Sequence, residues 1–76
     1  MIAILSSGYF IDTYEKVEDF LIAYASYIGG IDTKAFTILA NSNEMTIEEL
    51  IKYINDHCYN YDDKIVEIYE LNKKIY

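Results

Sequence analysis

The chain has 76 residues, enough for one domain with a single hydrophobic core. Thirteen acidic residues against six lysines, with no arginine, give a net charge of −7 at pH 7. Phosphate backbones and anionic lipid headgroups repel such a surface, which argues against direct binding to nucleic acid or to a membrane.

The first half of the chain predicts a strand followed by a helix. Residues 1–6 form a short apolar run that ends in a Ser-Ser-Gly turn, as a buried strand does. Residues 13–28 repeat apolar side chains with the spacing of one helix face, and either Asp12 or Thr13 is a suitable N-cap. The Gly-Gly pair at 29–30 ends this helix, because glycine accepts a left-handed backbone.

The second half predicts a strand, a helix and a last strand. Residues 35–40 (Ala-Phe-Thr-Ile-Leu-Ala) form the second strand, and residues 46–58 form the second helix. Thr46 and Glu49 have the spacing of a capping box, in which each side chain bonds the backbone N–H of the other. Residues 64–71 are rich in β-branched side chains and form the third strand.

Strands that alternate with helices favour parallel pairing through right-handed crossovers. We therefore expect one α/β domain over residues 1–76, of βαβαβ order, with a parallel or mixed three-stranded sheet packed with two helices. The first strand is apolar on both faces and suits the centre of the sheet, whereas Glu67 and Glu70 suit an edge strand. An antiparallel third strand is the alternative.

The reactive residue types do not form a catalytic or metal-binding pattern. One cysteine and one histidine cannot supply the four ligands of a zinc site, and as helix neighbours His57 and Cys58 point about 100° apart. There is no glycine-rich phosphate loop, and the Asp62-Asp63 pair lacks the alternating pattern of a calcium loop. We expect no enzyme activity and no cofactor, and we rank small-ligand binding or catalysis third among the functional hypotheses.

Nine tyrosines are the most distinctive feature of the composition. Tyrosine supplies a large, rigid contact area with a polar tip, and it is enriched at protein interfaces. Most of these tyrosines fall at turns, helix flanks or the tail, among carboxylates, although an AT-rich coding sequence would also enrich tyrosine. We predict that the protein-binding surface comprises Tyr9, Tyr14, Glu15, Glu18, Asp19, Tyr53, Tyr59, Tyr61, Asp62 and Asp63.

These observations favour a small, non-enzymatic protein that inhibits or modulates a larger, basic, nucleic-acid-handling partner. In size and acidity alone the chain looks like anti-defence proteins of phages and mobile elements, such as anti-CRISPR proteins. Its isoleucine-rich and tyrosine-rich composition fits a low-GC bacterium or its phage. The alternative is a homo-oligomeric structural or regulatory domain, for instance a homodimer. A single cysteine and a start without a basic leader favour the cytoplasm, that of the host if the chain is phage-encoded.

Overall fold

A computed structural model describes residues 2–6, 8–11, 14–70 and 73–76. Within these residues a four-stranded sheet packs against three α-helices. In chain order the elements are β1 (Ile2–Leu5), β2 (Gly8–Ile11), α1 (Val17–Ile28), α2 (Thr33–Asn41), α3 (Ile47–Asp56), a 3₁₀ turn (Tyr61–Asp63), β3 (Ile65–Glu70) and β4 (Lys73–Lys74).

Every pair of neighbouring strands in the sheet is antiparallel, and the strand order is β2-β1-β3-β4. Only two residues connect β1 to β2, a length that allows a hairpin but not a parallel crossover. In register, Ala3 of β1 pairs with Phe10 on one side and with Ile68 on the other. The expected central place of the first strand is therefore confirmed, whereas the expected edge place of β3 is wrong, because β4 pairs with it.

The expected parallel or mixed βαβαβ arrangement is wrong, because residues 35–40 lie in helix α2 and not in a strand. The helix starts where the Asp32 carboxylate caps it, accepting a hydrogen bond from the Ala35 N–H at 3.1 Å. Phe36 and Ala40 are both buried, and their spacing of four is that of one helix face. Aromatic and β-branched side chains in this segment give it a strand-like composition that the packing of α2 overrides.

The second predicted helix is confirmed as α3, including its capping box. The Thr46 hydroxyl accepts from the Glu49 N–H at 3.1 Å, and the Glu49 carboxylate accepts from the Thr46 N–H at 3.0 Å. The first predicted helix is confirmed as α1, which begins at Val17, later than expected. The proposed caps Asp12 and Thr13 lie outside the described residues.

A glycine pair ends α1, as predicted from the sequence. Gly29 has a φ of 67° and Gly30 a φ of 71°, the left-handed region that glycine enters without a steric cost. The turn sends the chain directly into α2, and α1 packs against both α2 and α3. The three helices thus form one layer.

The hydrophobic core lies between this helix layer and one face of the sheet. Ala3 and Ile68, which pair across β1 and β3, are buried there with side chains from all three helices. Ile2 of β1 is 41% exposed, and Val66 of β3, which the register between β1 and β3 skips, is 48% exposed. None of the described helices is long and apolar enough to cross a membrane.

Candidate functional site

A cleft of about 340 Å³ opens between helix α1, the end of β1 and the 3₁₀ turn. We call it the aromatic cleft. Its lining residues are Leu5, Tyr14, Phe20, Ala23, Tyr24, Tyr27 and Asp63. The volume is at the low end of the range for ligand pockets, roughly 300–1,000 Å³, so it suits one side chain or a small fragment better than a whole helix.

Helix α1 builds the main wall of the aromatic cleft. Phe20, Ala23, Tyr24 and Tyr27 follow the i, i+3, i+4, i+7 spacing that places side chains on one side of a helix. The centroids of the Phe20 and Tyr24 rings are 5.6 Å apart, and those of Tyr24 and Tyr27 are 5.9 Å apart. Tyr14 adds a fourth ring, 6.1 Å from Phe20. All three distances are in the favourable range for aromatic pairs.

The aromatic wall runs from the core to solvent. Tyr24 is only 4% exposed, whereas Tyr14 is 37% and Tyr27 is 77% exposed. Tyr14 packs on Phe20 and Tyr27 packs on Tyr24, so each exposed ring contacts a buried one. A tyrosine side chain has only two χ angles, so it loses little conformational entropy on binding.

A hydrogen bond joins Tyr24 to the 3₁₀ turn. Its hydroxyl donates to the backbone carbonyl oxygen of Asp63 at 2.5 Å. Burial raises the pKa of Tyr24 well above its ordinary value, and the negative charge of the nearby Asp63 carboxylate raises it further. Tyr24 therefore keeps its proton at neutral pH, and Asp63 lies beside Tyr24 in the lining of the cleft.

The turn that carries Asp63 is held at both ends. The Asn60 side chain accepts from the Asp62 N–H at 3.1 Å, and the Asn60 carbonyl accepts from the Asp63 N–H at 3.0 Å. After the turn, the side-chain amide of Asn55 bonds the backbone of Ile65. These bonds fix the position of Asp63 relative to α1 and α3.

Two of the predicted binding residues, Tyr14 and Asp63, come together in the aromatic cleft. Glu15 follows Tyr14 directly and is exposed. Glu18 and Asp19 occupy the first turn of α1, where carboxylates also favour the helix through its dipole. Acidic groups therefore flank the start of the helix that forms the cleft wall.

Other predicted binding residues lie apart from the cleft lining. Tyr53 packs on Phe36 and stacks on His57, with ring centroids 5.6 Å and 4.4 Å apart, which gives it a structural role. Tyr59 is 91% exposed and lies over Gly30. Neither tyrosine lines the aromatic cleft.

Of the last three predicted residues, Tyr61, Asp62 and Tyr9, the first two are not among the lining residues of the aromatic cleft. Tyr61 is exposed, and the ammonium of Lys64 lies 5.5 Å from its ring centroid. Asp62 is exposed and does not line the aromatic cleft. The backbone of Tyr9 lies in β2, but its side chain is outside the described residues.

The sequence-based set omitted Phe20, Tyr24 and Tyr27, which form most of the cleft wall. Phe20 and Tyr24 fall on the apolar stripe of α1, so the sequence assigns them to the core. The signal that could have found the site is Tyr27, which continues their side of the helix beyond the last buried turn. Aromatic residues at helical spacing that continue beyond the buried part of a helix indicate an exposed aromatic surface.

The residues nearest to nucleophilic or metal-binding chemistry are accounted for structurally. Burial raises the pKa of the Cys58 thiol, and the charge of Asp63 raises it further, so the thiol is a weak nucleophile at neutral pH. A ring nitrogen of His57, Nδ1, lies 2.7 Å from the carbonyl oxygen of Tyr53. Among the described residues, no group of three His, Cys, Asp or Glu side chains is placed to hold a metal ion.

Comparison of the chain with protein-family models, with curated proteins and with solved structures finds no match.

Proposed function

We propose that the chain is a protein-binding module and that the aromatic cleft is its recognition surface. One observation carries this proposal: a wall of four aromatic rings runs from the core to solvent and leaves a cleft of about 340 Å³ beside it. Binding energy at protein interfaces concentrates in a few side chains that fill such pockets, with tyrosine among the most frequent contributors.

The charge of the chain supports a basic partner. A net charge of −7 on 76 residues steers the module towards positive surfaces and away from acidic ones. We propose that it occupies a basic surface of a larger protein, such as one that handles nucleic acid, and thereby inhibits or modulates that protein. In this proposal the module acts by occupying a surface, without a catalytic step.

The proposal is tested by comparing two exposed tyrosines. The immobilised chain captures its partner from a lysate of the source organism, and the captured protein is identified by mass spectrometry. Tyr27→Ala removes a ring of the cleft wall, while Tyr59→Ala removes a more exposed ring outside it. We expect Tyr27→Ala to lower capture about tenfold, as loss of a moderate hot spot does, and Tyr59→Ala to leave it unchanged. Equal capture by both variants would contradict the proposal.

Exposed apolar side chains in the sheet favour a second candidate function, self-association into a homodimer. Ile2 in β1 and Val66 in β3 are 41% and 48% exposed, and exposed apolar side chains of this kind can be covered by a second copy. The net charge opposes association of two copies, so this candidate predicts tighter association at high salt. Sedimentation velocity over a concentration series tests it: a dimer that Val66→Lys dissociates supports this candidate, and a monomer at all concentrations contradicts it.

A further inference from the structure

The chemistry of the aromatic cleft indicates which group of the partner it binds. We propose that the cleft receives a cationic side chain, an arginine or a lysine, from the partner protein, with the cation between the tyrosine rings and the Asp63 carboxylate. This inference rests on the proposed function, because it names the group that the recognition surface binds.

The exposed tyrosine rings of the cleft wall suit a cation. A cation is attracted to the face of a tyrosine when it lies within about 6 Å of the ring centroid. Tyr14 and Tyr27 are the exposed rings of the wall, so a side chain that enters the cleft meets them first. The same chain already contains one such contact, since the Lys64 ammonium lies 5.5 Å from the centroid of the Tyr61 ring.

The polar groups that line the cleft also suit a cation. Among the described lining residues Asp63 is the only charged one, and it is acidic. The Tyr24 hydroxyl donates its hydrogen to the Asp63 carbonyl, so it offers no donor to a group that enters the cleft. The lining therefore supplies negative charge from Asp63 and no donor from Tyr24, and it suits guanidinium and ammonium groups, which carry only donors.

The alternative occupants fit these groups less well. An anionic group would approach both the Asp63 carboxylate and a chain of net charge −7. A purely apolar side chain would cover Asp63 without giving it a partner, and a buried carboxylate that lacks a partner is costly. Arginine suits the site best, because its planar head stacks on aromatic faces while its donors reach a carboxylate.

The test compares three short peptides that differ at one central residue: arginine, lysine or citrulline. Citrulline has nearly the shape of arginine but no charge, so it isolates the contribution of the cation. Each peptide is titrated into the isotope-labelled full chain and followed by amide chemical shifts. We expect the arginine and lysine peptides to shift the amide signals of Ala23, Tyr24 and Tyr27, and the citrulline peptide to bind about tenfold more weakly, as loss of a charge-assisted hydrogen bond implies.

Two neighbouring aspartates provide matched variants. Asp63→Asn removes the charge of the acidic lining residue, and Asp62→Asn removes an adjacent, exposed carboxylate while changing the net charge equally. We expect Asp63→Asn to weaken binding of the arginine peptide about tenfold and Asp62→Asn to leave it almost unchanged. The inference is overturned if the arginine peptide does not bind, if citrulline binds equally well, or if the two variants behave alike.

Failure of this inference can be told apart from failure of the proposed function. If Tyr27→Ala abolishes capture of the partner protein but arginine and citrulline peptides behave alike, the cleft binds a protein through another group, and only the inference fails. If Tyr27→Ala leaves capture unchanged, the cleft is not the recognition surface, and the proposed function fails.

Discussion

The side-chain amide of Asn55 makes two hydrogen bonds with the backbone of a single residue, Ile65. Its Nδ2 donates to the Ile65 carbonyl at 2.9 Å, and its Oδ1 accepts from the Ile65 N–H at 2.8 Å. These two hydrogen bonds connect the last turn of α3 to the first residue of β3. Asp63 lies in the turn between them, so its position in the aromatic cleft depends on a side chain that does not line the cleft.

Replacing Asn55 is therefore expected to destabilise the fold. Asn55→Ala leaves the N–H and the carbonyl of Ile65 without their partner, and the expected loss in free energy of unfolding is about 1–3 kcal/mol. Urea unfolding followed by circular dichroism measures the loss. Asn41→Ala, at an exposed position, is the control and is expected to change stability little. A loss for Asn55→Ala no larger than that of the control would show that the amide pair does not hold the turn.

The capping box of α3 offers a matched pair of acidic residues. Glu48 and Glu49 both lie in the first turn of α3, so both interact with the helix dipole, but only Glu49 accepts from the Thr46 N–H. We expect Glu49→Ala to lower the midpoint of urea unfolding more than Glu48→Ala does. Thr46→Ala should cost about 1 kcal/mol as an ordinary N-cap loss. Equal midpoints for the two glutamate variants would contradict a reciprocal cap.

Tyr24 makes stability sensitive to alkaline pH. Burial holds its pKa in the folded protein above the ordinary value of 10.0, whereas the unfolded chain titrates near that value. Above about pH 10 the unfolded state therefore binds fewer protons than the folded state, and the free energy of unfolding falls as pH rises. Below that pH the contribution of Tyr24 is fully present.

Tyr24→Phe is expected to remove part of this alkaline decline. At neutral pH it should cost about 1 kcal/mol, because the hydrogen bond to the Asp63 carbonyl is lost. Urea unfolding midpoints between about pH 8 and about pH 11 test the slope, with the exposed Tyr27→Phe as the control. If Tyr24→Phe and the control decline with the same slope as the unsubstituted protein, the buried phenol is not responsible.

The assignment of residues 33–41 to a helix is tested by lysine substitutions two positions apart. In α2, Ile38 is 66% exposed while Ala40 is 6% exposed, although both would point to the same face of a strand. We expect Ile38→Lys to change the free energy of unfolding by at most about 0.5 kcal/mol, and Ala40→Lys to destabilise strongly. Thermal unfolding measures both. Equally severe losses would favour a strand.

The sequence predicts an element well where residues that start or end a helix mark its boundary. The capping box of Thr46 and Glu49 fixes the start of α3, and the Gly29-Gly30 pair fixes the end of α1. β1 and β3 are also confirmed, because their β-branched and apolar residues agree with burial in the sheet. In these segments the local sequence preference and the tertiary packing favour the same secondary structure.

The sequence fails where local preference and packing disagree. Composition favours a strand for residues 35–40, but the Asp32 cap and the buried pair Phe36 and Ala40 make the segment helical. β2 has only four residues, too few for a clear period. The sequence did not predict β2, and it predicted a strand over residues 35–40 that is a helix. For these two reasons an antiparallel sheet that begins with a hairpin could not be inferred.

The site was predictable only in part. Tyr14 and Asp63 follow from the principle that tyrosines and carboxylates outside apolar stripes lie at the surface. Tyr24 could not be assigned in this way, because one side of its ring belongs to the core and the other lines the cleft. Which tyrosines share a cleft depends on where the 3₁₀ turn meets α1, a tertiary contact that has no local signature.

The most direct test of the central claim is photocrosslinking from a defined position of the chain. A benzophenone amino acid is placed at Tyr27 in the cleft wall or at Ile38, an exposed position on α2 that does not line the cleft. After incubation with the captured partner, irradiation should produce a crosslinked product from position 27 that excess arginine peptide suppresses, and no product from position 38. A product from position 38 with none from position 27 would contradict the claim that the aromatic cleft recognises a basic protein.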